Sequence, residues 1–527
     1  MALSYRIFKD KRYLEKARKD LLQLCELKNW GTGHFLDVGE AALAAGVGFD
    51  WLYNDLLATE KEKICRAIIN NAIIPSLNTK EGEGSWVNGN FNWNPVCHGG
   101  VMAGALAVAE LEPILSKKIT ERAIHNLPYA GNAYRDDGAY PEGPSYWSYG
   151  TSFYVIAVEA LRSIFGTSFE LEKIPGFLKT ADYNNQMVGP TGEDFNYSDY
   201  HIENLNEPVM FWFARELNRY DLIKEELSDI NRLYEKISTG KNITSGKNVV
   251  ASRHIPLEII WWKPSLKTVG TNNPNPLNWT VRGHLPMAVM RSSWGDPKAT
   301  FVAIKGGTPN NSHGHMDAGS FILEADGVRW AIDPGTESYG KMRAAKLDLW
   351  DYSQNSNRWS TFRVGSDGHN IIRFNNKLQQ VEGKVEIVEL TGLKGAFGIK
   401  ADLSILYLKE VKQVQRSILI NTDRSVTIFD EWATNENPVE ATFQWLTKAK
   451  VLKKDFGLLL EQEGKFLEIR IEPYLLKKLT MEIQDVSKPI SIQNSANPGL
   501  SRILIKAKTA ANSIGELKIM ATPLYNR

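Results

Sequence analysis

Apolar residues recur at three- and four-residue spacing through the first half of the chain and at two-residue spacing through much of the second. Within residues 13–22, Leu14, Ala17, Leu21 and Leu22 fall near one helical face. Residues 40–57 repeat that spacing, and residues 99–115 are rich in alanine, leucine and valine. Residues 151–164 place Phe153, Ile156, Ala157, Ala160, Leu161 and Ile164 on one stripe, with Thr151 or Ser152 as the predicted N-cap. Residues 208–217 follow the same rule. Helices separated by Gly/Asn/Pro-rich loops, with no strand between them, predict packed helical hairpins up to about residue 235.

Between residues 237 and 278 the texture changes. Polar residues dominate 238–248, and Asn272-Asn273-Pro274-Asn275-Pro276 reads as a linker. The predicted division is a helical domain over 1–275 and an antiparallel β-sandwich domain over 276–527. Strands are predicted within 299–304, 320–324, 328–332, 370–374, 381–390, 425–429, 441–446 and 466–471, the last with Leu467, Ile469 and Ile471 on one side.

Composition adds few constraints. A chain of 527 residues exceeds one ordinary core, and 43% hydrophobic with 23% charged residues is a globular composition. A net charge of +1 gives no global electrostatic case for nucleic acid, and no apolar run is long enough to insert in a bilayer. Cys25, Cys65 and Cys97 form neither a metal-ligand spacing nor a disulfide framework. The first residues show no basic segment followed by an apolar core, so no signal peptide is read there. Fifteen tryptophans lean towards carbohydrate, because aromatic faces stack on sugar rings.

The chemistry concentrates in four stretches. Residues 88–100, 136–150 and 189–200 are loops of amides, aromatics and carboxylates, each predicted to open a helix, which suggests a shared cleft at one end of the helical layer. The fourth is Asn311-Ser312-His313-Gly314-His315-Met316-Asp317-Ala318-Gly319-Ser320-Phe321. On an extended strand His313, His315 and Asp317 would project together, which suits a metal or proton transfer. Asp333, at the end of one predicted strand, and His369, just before another, can join that cluster as a zinc set.

The run at 310–321, the Ala331-Ile332-Asp333-Pro334-Gly335 strand end and the His369-Asn370 pair resemble heparinase II/III-type polysaccharide lyases. Asn92-Trp93-Asn94, the Asp137-to-Gly143 segment and Phe195-Asn196-Tyr197-Ser198-Asp199 resemble that family's toroid loops. The resemblance spans roughly residues 35–375. It implies an incomplete (α/α) toroid of helical hairpins followed by an antiparallel β-sandwich, in a periplasmic or secreted enzyme, with a cytoplasmic location as the alternative. The implied reaction is β-elimination on an anionic, uronate-containing polysaccharide, which leaves a 4,5-unsaturated uronate.

Roles follow from the resemblance residue by residue. Tyr146 matches a catalytic tyrosine that serves as acid, or as base if its pKa is lowered, with Tyr149 its near neighbour. His313 matches a catalytic histidine. His315, Asp333 and His369 match ligands of a supporting divalent metal, Zn2+. Asn92, Asn94 or His98 would neutralise the uronate carboxylate, and Trp93, Glu142, Tyr149, Arg291 and Tyr339 would contact substrate. Two other readings compete: a glycoside hydrolase using Glu142 with Asp194 or Asp199 as its carboxylate pair, and a non-catalytic polysaccharide-binding protein. Oligomeric state is not legible in the chain.

Overall fold

The computed structural model describes residues 1–82, 84–200, 206–240, 252–268 and 275–524. Most of the polar stretch 238–248, and residues 272–274 of the expected linker, lie outside them. Helices fill the first half: Lys11–Glu26, Phe35–Leu52, Ala58–Ile68, Trp93–Ala107, Pro113–Gly131, Pro144–Phe165, Val209–Leu217 and Lys224–Thr239. Phe35–Leu52 and Trp93–Ala107 approach each other closely. A Cβ on Gly100 would stand 2.1 Å from the Gly39 carbonyl oxygen, so only glycine permits that crossing. None of these helices is long and apolar enough to cross a membrane.

One helix boundary differs from the expected one in a way that matters for function. The helix expected to begin at Thr151 or Ser152 instead begins at Pro144, after Gly143. Proline lacks an N–H and has a fixed φ, both of which suit the first helical turn. The extension carries Tyr146 and Tyr149 on the helix rather than in the preceding loop.

Every segment read as a strand contains one, and among the described residues the strands assemble into three antiparallel sheets. Asn278–Val281, Met287–Arg291, Phe301–Lys305, Phe321–Ala325 and Val328–Ala331 form a five-stranded meander in chain order. An eight-stranded sheet runs from Lys450–Lys454 at one edge to Ile387–Glu389 at the other, and a four-stranded sheet pairs Val439–Thr447 with Ser501–Thr509 at its centre. Leu467, Ile469 and Ile471 are buried together, as their alternation predicts. The strand Val411–Ile420 escaped the reading because its pattern is broken by a buried charge. Arg416 donates from Nε and Nη2 to the two oxygens of Asp430 at 2.7 and 2.8 Å.

The five-stranded sheet is what joins the two halves. Met287, Val289, Phe301, Ala303 and Ile322 belong to the helical core. Their alternates Ala288, Met290, Val302, Ile304, Phe321 and Leu323 belong to the core of the β-region. Two-residue alternation normally separates a wet face from a dry one. Here, beyond the half-buried edge strand Asn278–Val281, both faces are dry, and the sheet is a wall shared by two cores. The helical half therefore cannot shift against it without exposing apolar surface, at about 25 cal/mol per Å².

Glu258, in the helix Pro256–Trp261, is a buried carboxyl that accepts a hydrogen bond from the Asn206 amide. Burial, reinforced by the nearby Glu226 charge, pushes its pKa up to about 8. The folded state thus holds this proton more tightly than the unfolded chain does. Its contribution to stability is complete below the unfolded pKa of about 4.3 and is lost as pH rises towards 8. Glu258→Gln should therefore gain stability relative to wild type progressively between pH 5 and 8.5 in thermal melts. A difference that does not change with pH would show that Glu258 is not protonated in the fold.

Candidate active site and metal cluster

The histidine motif lies in the connection between strands Phe301–Lys305 and Phe321–Ala325, at one end of the shared sheet. It is not extended. His313 has φ +58°, and turns flank it on both sides. The strand alternation expected to gather His313, His315 and Asp317 is therefore not what brings these residues together. The loop is fixed instead by specific bonds. Tyr352 Oη accepts from the His313 N–H at 2.8 Å, Arg358 donates to the Gly314 carbonyl at 3.1 Å, and Arg416 donates to the Gly319 carbonyl at 2.8 Å.

Both histidines converge on Asp199, which comes from the helical half. His313 Nδ1 lies 3.0 Å from Asp199 Oδ2, and His315 Nε2 lies 3.0 Å from Oδ1. Tyr339 donates to Oδ2 at 2.7 Å, Thr336 to Oδ1 at 3.2 Å and Arg358 to Oδ2 at 3.3 Å. Burial alone would favour the neutral acid. The hydrogen bonds from His313 and His315, with the Arg358 charge, outweigh it and hold this carboxyl well below the usual carboxylate range. Ser198, next to Asp199, also has a positive φ of +59°. Left-handed backbone at a non-glycine residue costs on the order of 1 kcal/mol or more, and it persists where surrounding bonds over-determine it.

An ionised Asp199 dictates the imidazole tautomers. Because Oδ2 can only accept, His313 carries its proton on Nδ1, and its Nε2 presents a lone pair. Tyr339 Oη, 2.9 Å from Nδ1, shares that proton. Tyr146 stacks on the His313 ring with centroids 4.1 Å apart, and its hydroxyl lies 3.4 Å from that of Tyr339. Burial raises the Tyr146 pKa, and the Tyr339 hydrogen bond only partly offsets this. Tyr146 is therefore a neutral phenol with a proton to give.

Glu142 organises the opposite side. It accepts from the Asn92 N–H at 2.8 Å, from the Asn92 amide at 3.2 Å, from Tyr140 at 3.1 Å and from Ser312 at 3.0 Å, and it lies 3.6 Å from His313 Nε2. The three loops opening helices thus do meet, through Asn92, Glu142 and Asp199.

Other expected residues stand elsewhere. Asn94 and His98 are buried in the helix Trp93–Ala107, and both donate to the Val87 carbonyl, at 3.1 and 2.9 Å. Burial pulls the His98 pKa down to about 3, so it has no positive charge to offer a carboxylate. Of the three residues considered for neutralisation, Asn92 alone adjoins the site. Arg291 is 3% exposed and donates to the carbonyls of Gln186 and Val188, so it staples sheet to helix and does not reach substrate. Tyr149 lies one turn beyond Tyr146 but is engaged with Arg253, whose guanidinium sits 5.1 Å from its ring. Trp93 is half-buried, edge-on to His34. Sequence reading missed Trp350. It is 50% exposed, with its ring 5.3 Å from His313 and 5.5 Å from Tyr339. No spacing signal links it to those residues.

Behind His313 lies a buried cluster that can hold a metal ion. Ligand atoms of His315, Asp317 and His369 lie within 4.8 Å of one another. The expected carboxylate, Asp333, takes a different position: its Oδ2 accepts from His369 Nδ1 at 2.9 Å. The structure therefore draws Asp317 into the cluster and sets Asp333 behind His369, as Asp199 is set behind His315. Carboxylates so placed fix which imidazole nitrogen is free. The free ones, His315 Nδ1 and His369 Nε2, are buried without a hydrogen-bond partner. Two orphaned imidazole lone pairs beside a carboxylate fit a divalent cation. Asp317 also pairs with Lys305 Nζ, so one of its oxygens is already engaged.

Asp199→Asn should lower stability by about 3–5 kcal/mol, because it leaves Arg358 and two imidazole N–H groups without their charged acceptor. Chemical denaturation measures this directly. A loss under about 1 kcal/mol would mean that Asp199 does not carry the junction.

Residues 283–495 match the family described as Heparinase II/III-like, C-terminal. No curated protein shows significant sequence similarity to the chain. Among solved structures, a mutant of the heparan sulfate lyase HepC from Pedobacter heparinus aligns with TM-score 0.62 at 14% identity, covering 100% of this chain and 75% of that one. The heparinase III BT4657 gene product, with methylated lysines, aligns at 0.62 and 14%, covering 99% and 76%. A structure described as heparinase III aligns at 0.57 and 13%, covering 100% and 76%. Likeness at these identities establishes the fold, an incomplete toroid followed by a β-sandwich. Residues 283–495 thus match a heparinase II/III-like C-terminal domain, in a chain whose fold is similar to that of these solved structures.

Proposed function

We propose that this protein is a polysaccharide lyase that cleaves a uronate-containing, glycosaminoglycan-like polymer by β-elimination. The observation that carries the reading is the Asp199–His313 pair with Tyr146 stacked on it, at the junction of the two halves. Elimination needs a base for the C5 proton, an acid for the departing O4, and a donor for the uronate carboxylate. His313 Nε2, left with a lone pair by the Nδ1–Asp199 bond, takes the C5 proton. The C5–H electrons form the C4=C5 double bond, the C4–O4 bond breaks, and Tyr146 protonates O4. His313 then returns its proton to solvent and Tyr146 regains one. The raised pKa of Tyr146 favours the acid role over the base role. In this reading Asn92, whose buried amide now donates to Glu142, would have to turn an N–H to the carboxylate to stabilise the enolate-like charge.

The hydrolase alternative finds less support. Asp199 is held ionised by its donors and cannot serve as a protonated acid, while Glu142 is engaged by Asn92, Tyr140 and Ser312. Asp194 accepts from the Tyr200 hydroxyl.

His315, His369 and Asp317 would hold a divalent metal, with zinc the metal that the family resemblance implies. Such an ion would bind the motif loop to the strands behind it.

Wild-type protein incubated with heparan sulfate, hyaluronan, chondroitin and alginate in turn should generate the ultraviolet absorbance of unsaturated uronate with at least one. Tyr146→Phe should reduce that rate on the order of 10²-fold or more. A Tyr146→Phe variant that turns over normally would remove Tyr146 from the mechanism. Metal analysis separates the two histidines: His369→Ala should lose bound metal, whereas His313→Ala should keep it and lose turnover. Loss of metal from both would assign His313 to the metal cluster instead.

A further inference from the structure

One motif singled out in the sequence is only partly used by this site. Asn88-Gly89-Asn90-Phe91 precedes Asn92 and lines an open groove of about 620 Å³, together with Tyr129, Asn132, Arg135 and His284. That volume lies within the roughly 300–1,000 Å³ typical of ligand sites. We infer that this groove is a second binding segment for the polysaccharide, taking an acidic sugar unit of the same polymer whose cleavage is proposed above. The inference rests on that reading for the identity of its ligand.

Three observations support it. First, the groove's wall runs in sequence into the site: Phe91, which lines it, is followed by Asn92, whose N–H and amide are held by Glu142. Second, its chemistry matches a charged saccharide. Tyr129 is 40% exposed and offers an aromatic face, while Asn90 and Asn132 offer amides. Arg135 is exposed, and its guanidinium has no ion pair or side-chain hydrogen bond among the described residues. The nearby Asp137 does not neutralise it, being paired with Lys179 at 2.8 Å. An unpaired guanidinium beside amides and an aromatic ring suits a carboxylate or sulfate on a sugar. Third, the groove is built from both halves of the molecule and is held in shape. Gly283, at φ +89°, packs so closely on the 131–138 loop that a Cβ would stand 2.3 Å from the Arg135 carbonyl oxygen. This contact ties the turn before His284 to the backbone of Arg135, and both residues line the groove.

The distinguishing consequence is a dependence on chain length. A short oligosaccharide that fills only the active site should not register the groove, and a longer one should. The test uses size-fractionated tetra- to dodecasaccharides in two series, sulfated ones from heparan sulfate and unsulfated ones from heparosan. Arg135→Ala and Tyr129→Ala variants are compared with wild type, and thermal melts confirm that each is folded. The expected result is unchanged kcat/KM on tetrasaccharides and a loss of about tenfold on the longest chains for Arg135→Ala. Loss in both series assigns the contact to the uronate carboxylate, and loss in the sulfated series alone assigns it to sulfate. Equal rates for variants and wild type at every length would overturn the groove while leaving the lyase reading intact. If wild type cleaves none of these chains, the lyase reading fails for these polymers, and calorimetric titration of the dodecasaccharides decides the groove separately. Weaker binding to Arg135→Ala than to wild type would sustain it as an acidic-glycan site. Indistinguishable binding, or none to either protein, would overturn it.

Discussion

A single buried carboxylate, Asp199, holds the functional centre together. Each of its oxygens accepts from an imidazole on the sandwich side, and Tyr339, Thr336 and Arg358 complete its coordination. A charge this deep is tolerated only because it is so fully bonded. Its ionised state then sets the tautomers of both His313 and His315. One carboxylate thereby leaves His313 Nε2, 3.6 Å from Glu142, as the free nitrogen of one ring and His315 Nδ1, in the cluster with Asp317 and His369, as that of the other. The proposed base and the candidate metal cluster thus share one buried anchor.

That arrangement needs the two halves of the chain to be rigidly apposed, and the five-stranded sheet supplies the rigidity. Its alternating side chains enter two different cores, so neither face of its four buried strands is available to solvent. The motif loop leaves this sheet at Lys305 and returns to it at Phe321, which places His313 where the helical half can reach it. The bonds from Arg358 and Arg416 to loop carbonyls then hold the shape in between, including the left-handed backbone at His313.

Much of this was legible in the chain, for identifiable reasons. Helices and strands followed from hydrophobic period, because burial on one face is a local property of sequence. The pairing of His313 with His315, and the three loops that meet at the site, stood out by residue type and spacing. Asn92 could not be told from Asn94 and His98 by type alone. The helix beginning at Trp93 turns Asn94 and His98 into its core-facing side and leaves Asn92 at its cap. Asp333 and Asp317 were likewise interchangeable in sequence, and only the path of the loop decides which approaches both imidazoles. Trp350 and the hub role of Asp199 depend on contacts between residues more than a hundred positions apart in the case of Asp199, which no local pattern records. Arg291 was expected at the substrate only from the family resemblance, and its strand is buried on both faces.

The central claim is that the Asp199–His313–Tyr146 arrangement performs elimination, in which no water is added across the broken bond. Mass spectrometry of cleavage products formed in heavy-oxygen water tests it most directly. Elimination predicts products without the heavy oxygen, whose masses sum to that of the parent chain. Heavy oxygen incorporated at the new chain end, with the mass of one water gained per cleavage, would contradict the account and identify a hydrolase.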